Sequence, residues 1–473
     1  MLTYDSAVEE LYRLGRELAH TAGQPFDLKF IRLLLDVLDH PERRFPSVLV
    51  AGTNGKGSTA ATLASILQAA GHRTALYTSP HLLRINERIR VDGREIGDAE
   101  FAEIYERVET GAQALVASGA LPWHPNFFEL VTAMAFTYFA RWPVDVAVME
   151  VGLGGRLDAT NAAEPLLAII ADVALDHQEF LGHTIREIAR EKAGIIHPGG
   201  TVVTLPQHPE ANEAIASRAL ECGADVINAA CFVPPASPGG KVPPVPRAGL
   251  NPKGAAQGRE SRAKSTAYSL EVMGEQIVVD SPLSGRHQWR NLALAIAAAE
   301  QLNRKGVKVL PRDIEAGIRQ THWPGRFQIA PPDPSEGWPE IVLDVAHNPA
   351  GAWALRAALS ERYGHEEEKA SRPLTLVFGA MRDKAFGEIA EILFPLATHL
   401  VITRADSPRA ATPEEIRACV SRILTNVETE DTVAAALNRG RTLAGEDGVL
   451  VITGSLYIVS EALALLPARV ARP

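Results

Sequence analysis

Between Ser47 and Thr78 short runs of apolar and β-branched residues alternate with stretches of helical period, the pattern of strand–helix–strand units around a parallel sheet. Residues 47–52, Ser-Val-Leu-Val-Ala-Gly, predict a buried strand. Leu63, Ile66, Leu67 and Ala70 then recur at i, i+3, i+4 and i+7, and Gly71 stands where a helix C-cap belongs. Further strands are predicted at 73–79, 143–150, 165–172 and 201–205, with helices over 127–140 and 184–194 between them. Residues 232–266 are rich in Pro, Gly, Ser and basic residues and carry almost no apolar period, which predicts an exposed, flexible insertion. A hairpin at 267–280 and a helix over 291–302 follow. A second α/β pattern begins near Pro324, with strands expected at 341–348, 373–381, 398–406 and 448–455. The fold class is α/β: a domain over 1–323 on a large, mostly parallel, doubly wound sheet, and a smaller Rossmann-like α/β domain over 324–473.

Length and composition narrow the function classes. The chain has 473 residues, 46% hydrophobic and 22% charged, ordinary proportions for folded protein. Its net charge of −10 argues against broad attraction to nucleic acid or an anionic membrane, so an anionic ligand must be met by a local positive site. The three cysteines, Cys222, Cys231 and Cys419, have no paired spacing for a disulfide framework or zinc cluster. The amphipathic, acidic start and the lack of a long apolar run predict a cytoplasmic, non-membrane protein.

Four features carry candidate chemistry. Gly52-Thr53-Asn54-Gly55-Lys56-Gly57-Ser58-Thr59 lies between a predicted strand and helix, where backbone N–H groups, a helix N-terminus and Lys56 can receive a phosphate. It departs from the strict phosphate-loop pattern, because Val50 stands at the first glycine position and Gly57 separates Lys56 from Ser58. Polar residues recur at strand ends, where open α/β sheets bind ligands: Ser79, Glu150, His177, Asp344, His347 and Asn348. A carboxylate, an imidazole and a hydroxyl among them suit a Mg²⁺ that keeps waters and bridges phosphates. Lys192 falls on the apolar stripe of Ile185, Ile188 and Ala189, which leaves two readings: a lysine snorkelling to solvent, or an amine near its neutral form that can take up CO₂ as a carbamate. Residues 151–161 combine Gly152, Gly154 and Gly155 with Asp158 and Asn161, suiting close backbone approach to a ligand.

AGTNGKGST, YTSPHL, NFFE, MEVGLGGRLDATN, LDHQEFLG, REKAGI, PGRFQ and DVAHNP occur in this order over residues 51–349. The succession resembles the folylpolyglutamate synthase/dihydrofolate synthase family, within the Mur ligase superfamily of ATP-dependent amide-forming enzymes. The resemblance implies a Mur-ligase-type central domain followed by a glutamate ligase domain. ATP would be held by Thr53, Asn54, Gly55, Lys56, Gly57, Ser58, Asn291, Arg326 and Asp344, and Mg²⁺ by Ser79, Glu150 and His177. Lys192 matches the family's carbamylated lysine. The pterin-bearing substrate would contact Phe26, Asp27, Leu28, Asn126, Phe127, Phe128, Glu129, Leu157, Asp158 and Ala159. By analogy with the superfamily, glutamate would sit near His347, Asn348, Lys384 and Ser455, with His347 a candidate base beside the catalytic Lys56 and Lys192.

The implied activity adds L-glutamate to tetrahydrofolate through an acyl phosphate, and also to dihydropteroate. Folylpolyglutamate synthase activity alone is the alternative. The substrates would be ATP, L-glutamate, reduced folates and dihydropteroate, handled by a monomer without nucleic acid or membrane. A peptidoglycan-type Mur ligase carries a nucleotide-sugar-binding domain ahead of the phosphate loop, for which the 51 residues before Gly52 are too few. A phosphotransferase or nucleotide switch would leave residues 344–348 without a role.

Overall fold

The computed structural model of the chain describes residues 2–15, 27–234, 267–364, 372–420, 427–467 and 470. Phe26 and most of the expected insertion, from residue 235 to 266, lie outside the described residues.

The first sheet contains β1 (Ser47–Ala51), β2 (Thr74–Tyr77), β3 (Ile89–Val91), β4 (Arg94–Glu95), β5 (Val146–Glu150), β6 (Leu167–Ile170), β7 (Thr201–Thr204) and β8 (Asp225–Asn228). Their spatial order is β4-β3-β2-β5-β1-β6-β7-β8, parallel from β2 to β8, with β3 and β4 added antiparallel at one edge. The sheet is wound on both faces, and strand alternation sorts the residues between two cores. Leu49, Ala51, Tyr77, Met149 and Ile170 face helices that include Leu28–Val37, Asp98–Ala117, Phe127–Arg141 and Ile185–Ala193. Val48, Val50, Leu76, Val148 and Ile169 face Lys56–Ala69, Arg286–Arg304, Pro311–Gln320 and the hairpin of β9 (Tyr268–Val272) and β10 (Glu275–Val279). Lys56–Ala69 packs so closely that a Cβ on Gly317 would lie 2.3 Å from Ile66 Cα.

The second sheet holds β11 (Gln328–Ala330), β12 (Glu340–Leu343), β13 (Leu374–Phe378), β14 (His399–Ile402), β15 (Val427–Thr429) and β16 (Val449–Thr453). Its order is β11-β12-β16-β13-β14-β15, parallel except for β11. Helices cover both faces over two apolar cores.

The α/β class, the central strands and the helices expected after the glycine-rich loop and over 127–140, 184–194 and 291–302 match the sequence reading, which lacked the helices Asp98–Ala117 and Pro349–Tyr363. The strands it lacked, β3, β4, β8, β11 and β15, lie at or next to a sheet edge and have two to four residues, too short to show a period. Among the described residues no helix is long and apolar enough to cross a membrane.

Candidate active site

The carboxyl ends of both parallel sheets open on one cavity of about 470 Å³. β1 runs into the glycine-rich loop, β2 into Ser79, β5 ends on Glu150, and β6 leads to Asp172 and His177. From the second sheet, β12 leads to Asp344 and His347, β13 to Lys384 and β16 to Ser455, and all of these residues line the cavity.

Gly55 is the left-handed N-cap (φ +85°) of the helix Lys56–Ala69, and a Cβ there would lie 2.2 Å from Asn291 Oδ1. Only glycine gives the loop both this turn and this approach. The N–H groups of Thr53 and Asn54 donate to Asp172 O (2.7 and 3.1 Å), and Thr53 Oγ1 donates to Ala174 O (3.0 Å). These two residues therefore fasten the loop to the end of β6. Gly57 and Ser58, with Lys56, offer the first-turn N–H groups that no intrahelical carbonyl reaches. Lys56 Nζ donates to the carbonyls of Gly52 (3.0 Å) and Thr53 (3.2 Å), and burial lowers its pKa.

Lys192 is 4% exposed, which rules out the snorkelling reading. Its Nζ donates to the same Gly52 carbonyl at 2.8 Å. Burial first, and then the neighbouring charge of Lys56, lowers its pKa to about 7. The amine is thus held near its neutral, nucleophilic form.

Ser79, Glu150 and His177 all line the cavity, with Ser79 N–H donating to Glu150 Oε2 at 3.2 Å. His177 has a left-handed backbone (φ +48°), and burial lowers its pKa to about 4, leaving the neutral imidazole that ligates metals. Among the described residues no three His, Cys, Asp or Glu side chains cluster at metal-binding spacing. The hydroxyl, carboxylate and imidazole fit a hard cation that retains waters better than a fully caged one.

Beyond the glycine-rich loop the cavity becomes an aromatic alcove. Asp27, Asn126, Phe127, Phe128, Glu129, Leu157, Asp158 and Ala159 line it. So do Phe30 and Trp123, stacked at 5.3 Å, which the sequence reading lacked. Leu28 is a correction: in the first turn of its helix it is 8% exposed and packs into the apolar core instead of lining the cavity. Asp158 holds its own loop, accepting from Leu153 N–H (2.9 Å), Thr160 N–H (3.0 Å) and Thr160 Oγ1 (2.5 Å). Glu129 closes a capping box with Asn126, and burial raises its pKa to about 7. A Cβ on Gly152 would lie 2.4 Å from Phe128 Cζ, so the alcove wall depends on that glycine.

On the opposite side, Asp344 accepts from Phe327 N–H (2.8 Å) and Ala346 N–H (2.9 Å) while burial raises its pKa. It shares the cavity wall with Arg326 and Asn291. The side chains expected around glutamate gather on Asp176, which sequence reading passed over although it flanks His177. Lys384 Nζ is 2.7 Å from Asp176 Oδ1, Asn348 Nδ2 is 3.1 Å from Oδ2, and His347 Nε2 is 3.7 Å from Oδ2. Burial raises the Asp176 pKa, but His347, His177 and Lys384 outweigh it and hold the carboxyl far below the usual range. His347 Nδ1 lies 2.9 Å from Val345 O, so the proton is on Nδ1 and Nε2 faces the cavity side chains. Asn348 does not line the cavity; its Nδ2 also donates to Asn54 Oδ1 at 3.1 Å, joining the second sheet to the loop. Ser455, 2% exposed, caps the helix Leu456–Leu465 by accepting from Ile458 N–H at 3.2 Å.

A family model described as the Mur ligase glutamate ligase domain matches residues 325–456. The dihydrofolate synthase/folylpolyglutamate synthase of Bacillus subtilis is 32% identical over 437 residues, 91% of this chain and 93% of its own length. A probable bifunctional folylpolyglutamate synthase/dihydropteroate synthase of Haloferax volcanii is 36% identical over 463 residues, 98% of this chain, which spans only 50% of that relative's length. The folylpolyglutamate synthase of Mycobacterium tuberculosis, solved with ADP and AMPPCP, superposes with a TM-score of 0.80 at 29% identity, covering 98% of each chain. The chain belongs to the folylpolyglutamate synthase/dihydrofolate synthase family of Mur ligases.

Proposed function

We propose that this chain is an ATP-dependent ligase that joins L-glutamate to the terminal carboxylate of a reduced folate, and that it also glutamylates dihydropteroate. The observation that carries the reading is the convergence on one cavity of the phosphate loop, an aromatic alcove and the strand ends of the second sheet. Three reactants meet there: a nucleotide, a flat heterocycle bearing a carboxylate, and an amino acid.

A carboxylate is a poor acyl donor to an amine because oxide would have to leave. Transfer of the ATP γ-phosphoryl group to the folate carboxylate converts oxide into phosphate as the leaving group. Lys56 and the first-turn N–H groups of Gly57 and Ser58 would offset the charge that builds between the two anions. Ser79, Glu150 and His177 would hold Mg²⁺, which supplies further charge neutralisation at the phosphate oxygens. Arg326, Asp344 and Asn291 would contact the nucleotide. The alcove of Asp27, Asn126, Phe127, Phe128, Glu129, Leu157 and Ala159 would hold the pterin ring, with Asp158 shaping its loop.

Glutamate would be bound by Lys384 and Ser455, with Asn348 setting the height of that wall. His347 Nε2 would take the proton from the glutamate amine as it attacks the acyl phosphate, and the tetrahedral adduct would expel phosphate to leave the amide. Water excluded from the cavity cannot hydrolyse the acyl phosphate first. Lys192 would carry a carbamate formed with CO₂, which turns a buried, near-neutral amine into an anion in the same cavity. The functional division would fall at about residue 323, and the protein would work as a cytoplasmic monomer.

The test is ADP release from ATP, Mg²⁺ and L-glutamate with dihydropteroate, tetrahydrofolate or no acceptor. Release with both acceptors supports the bifunctional ligase, and release with tetrahydrofolate alone restricts it to polyglutamylation. Release that needs neither acceptor nor glutamate overturns the ligase reading.

A further inference from the structure

The phosphate loop is held from behind by a pair of charges that the ligation chemistry does not use. The backbone carbonyl of Asp172 receives the N–H groups of Thr53 and Asn54. Its carboxylate is gripped by Arg290, whose Nε lies 3.0 Å from both oxygens and whose Nη2 lies 2.5 Å from Oδ1. Arg290 Nη2 also donates to Pro206 O at 3.1 Å, tying the same side chain to the segment after β7.

Arg290 sits in the helix Arg286–Arg304 immediately before Asn291, the residue that abuts Gly55. One helix therefore grips the loop at two points, directly at Gly55 and through Asp172 at Thr53 and Asn54. The same helix begins with Arg286, whose Nη2 is 3.2 Å from Glu361 Oε1 of the second α/β unit. With side chains 31% and 37% exposed, the Arg290–Asp172 pair is too solvent-screened to count for much in folding. Its value is directional: a planar guanidinium fork fixes the carboxylate, and with it the peptide whose carbonyl anchors the loop.

We infer that Asp172 and Arg290 are positioning residues of the phosphate loop, setting the orientation in which Lys56 and the first-turn N–H groups meet the nucleotide. This rests on the reading of the cavity as an ATP site. Displacing a binding group by about 1 Å can cost on the order of 100-fold in rate, so a loosened loop should be felt mainly by the nucleotide.

The experiment compares wild type with Arg290→Met, Arg290→Lys, Asp172→Asn and the Arg290→Met/Asp172→Asn double variant. KM is measured separately for ATP, L-glutamate and tetrahydrofolate, and ADP affinity by calorimetry. Arg290→Met should raise the ATP KM and weaken ADP by about 10- to 100-fold with the other two KM values unchanged. Arg290→Lys, which keeps the charge but loses the fork, should fall between, and the double variant should be no worse than Arg290→Met alone. If Arg290→Met does not fold, Asp172→Asn and Arg290→Lys carry the same comparison. Unchanged ATP and ADP values, three KM values rising together, or an effect of Asp172→Asn that no Arg290 variant shares would each overturn the inference. Should wild type release no glutamate-dependent ADP, the ligase reading fails, while ADP calorimetry still decides the role of the pair.

Discussion

The two halves of the cavity are built by different means. On the side of the first sheet the loop is fastened by main-chain groups: Thr53 and Asn54 donate to the Asp172 carbonyl, and Lys56 and Lys192 both donate to the Gly52 carbonyl. On the side of the second sheet three side chains, His347, Asn348 and Lys384, assemble around one carboxylate, Asp176, that belongs to the other half. The main-chain scaffold fails at its glycines, at its charged tip and at the side chains, such as Arg290, that orient the peptides holding it. A side-chain assembly fails when its central charge is removed. The charged tip of the first half should thus lose chemistry when mutated, its framing residues affinity for a single substrate, and the second half affinity and stability.

The largest expected effect is at the tip. Lys56→Ala should lower kcat for ADP release by about 100- to 1000-fold with little change in melting temperature, as for removal of one preorganised donor to a developing charge. A comparable loss of stability would show that Lys56 also holds the fold and would blur the contrast. Next is the buried pair: Lys384→Met leaves Asp176 without its closest cation and should destabilise the chain by about 3–5 kcal/mol, read by chemical denaturation. The double variant Asp176→Asn/Lys384→Met should regain much of that stability while the KM for glutamate stays raised. If it regains none, the pair is not the organising centre of that half.

A smaller effect is expected at Gly152→Ala. Its new Cβ would press on Phe128, so the KM for the folate should rise severalfold with the KM for ATP unchanged. The smallest effect is a pH slope. With the Lys192 pKa lowered from 10.5 to about 7, the folded chain binds fewer protons than the unfolded chain between those values. This group's contribution to stability therefore rises with pH across that window, and below it the penalty of a buried ammonium is fully present. Lys192→Met should flatten the dependence of melting temperature on pH from 7 to 10, as followed by thermal melts. If the slope is unchanged in the variant, Lys192 does not titrate there.

The same contrast decides what the sequence disclosed. Gly52 to Ser58 can be read because the main-chain scaffold needs glycines and a lysine at fixed spacing after a buried strand. Lys192 announces itself by breaking an apolar stripe. Asp176, Asp172 and Arg290 leave no such mark, since a carboxylate or arginine after a strand or on a helix is usually solvated, and only the folded distances pair them. Trp123 and Phe30 come from segments about ninety residues apart, and no local pattern joins them. Leu28 shows the converse error: a motif segment whose neighbour Asp27 lines the cavity, while the helix turns the leucine inward.

Strand β1 pairs with β5 so that Val50 stands opposite Glu150, and with β6 so that Val50 stands opposite Ile169. The strand therefore serves as a ruler, with its zero mark fixed on both sides by parallel ladders. Adding one residue between Ala51 and Lys56 would leave the ladders in register, yet it would either bulge the glycine-rich loop or displace Lys56 together with its helix, whose Leu63, Ile66 and Leu67 are buried in the core. Side chains on both faces of β1 are fully buried in the two cores, so the strand fixes their volumes as well as the number of residues from Val50 to Lys56.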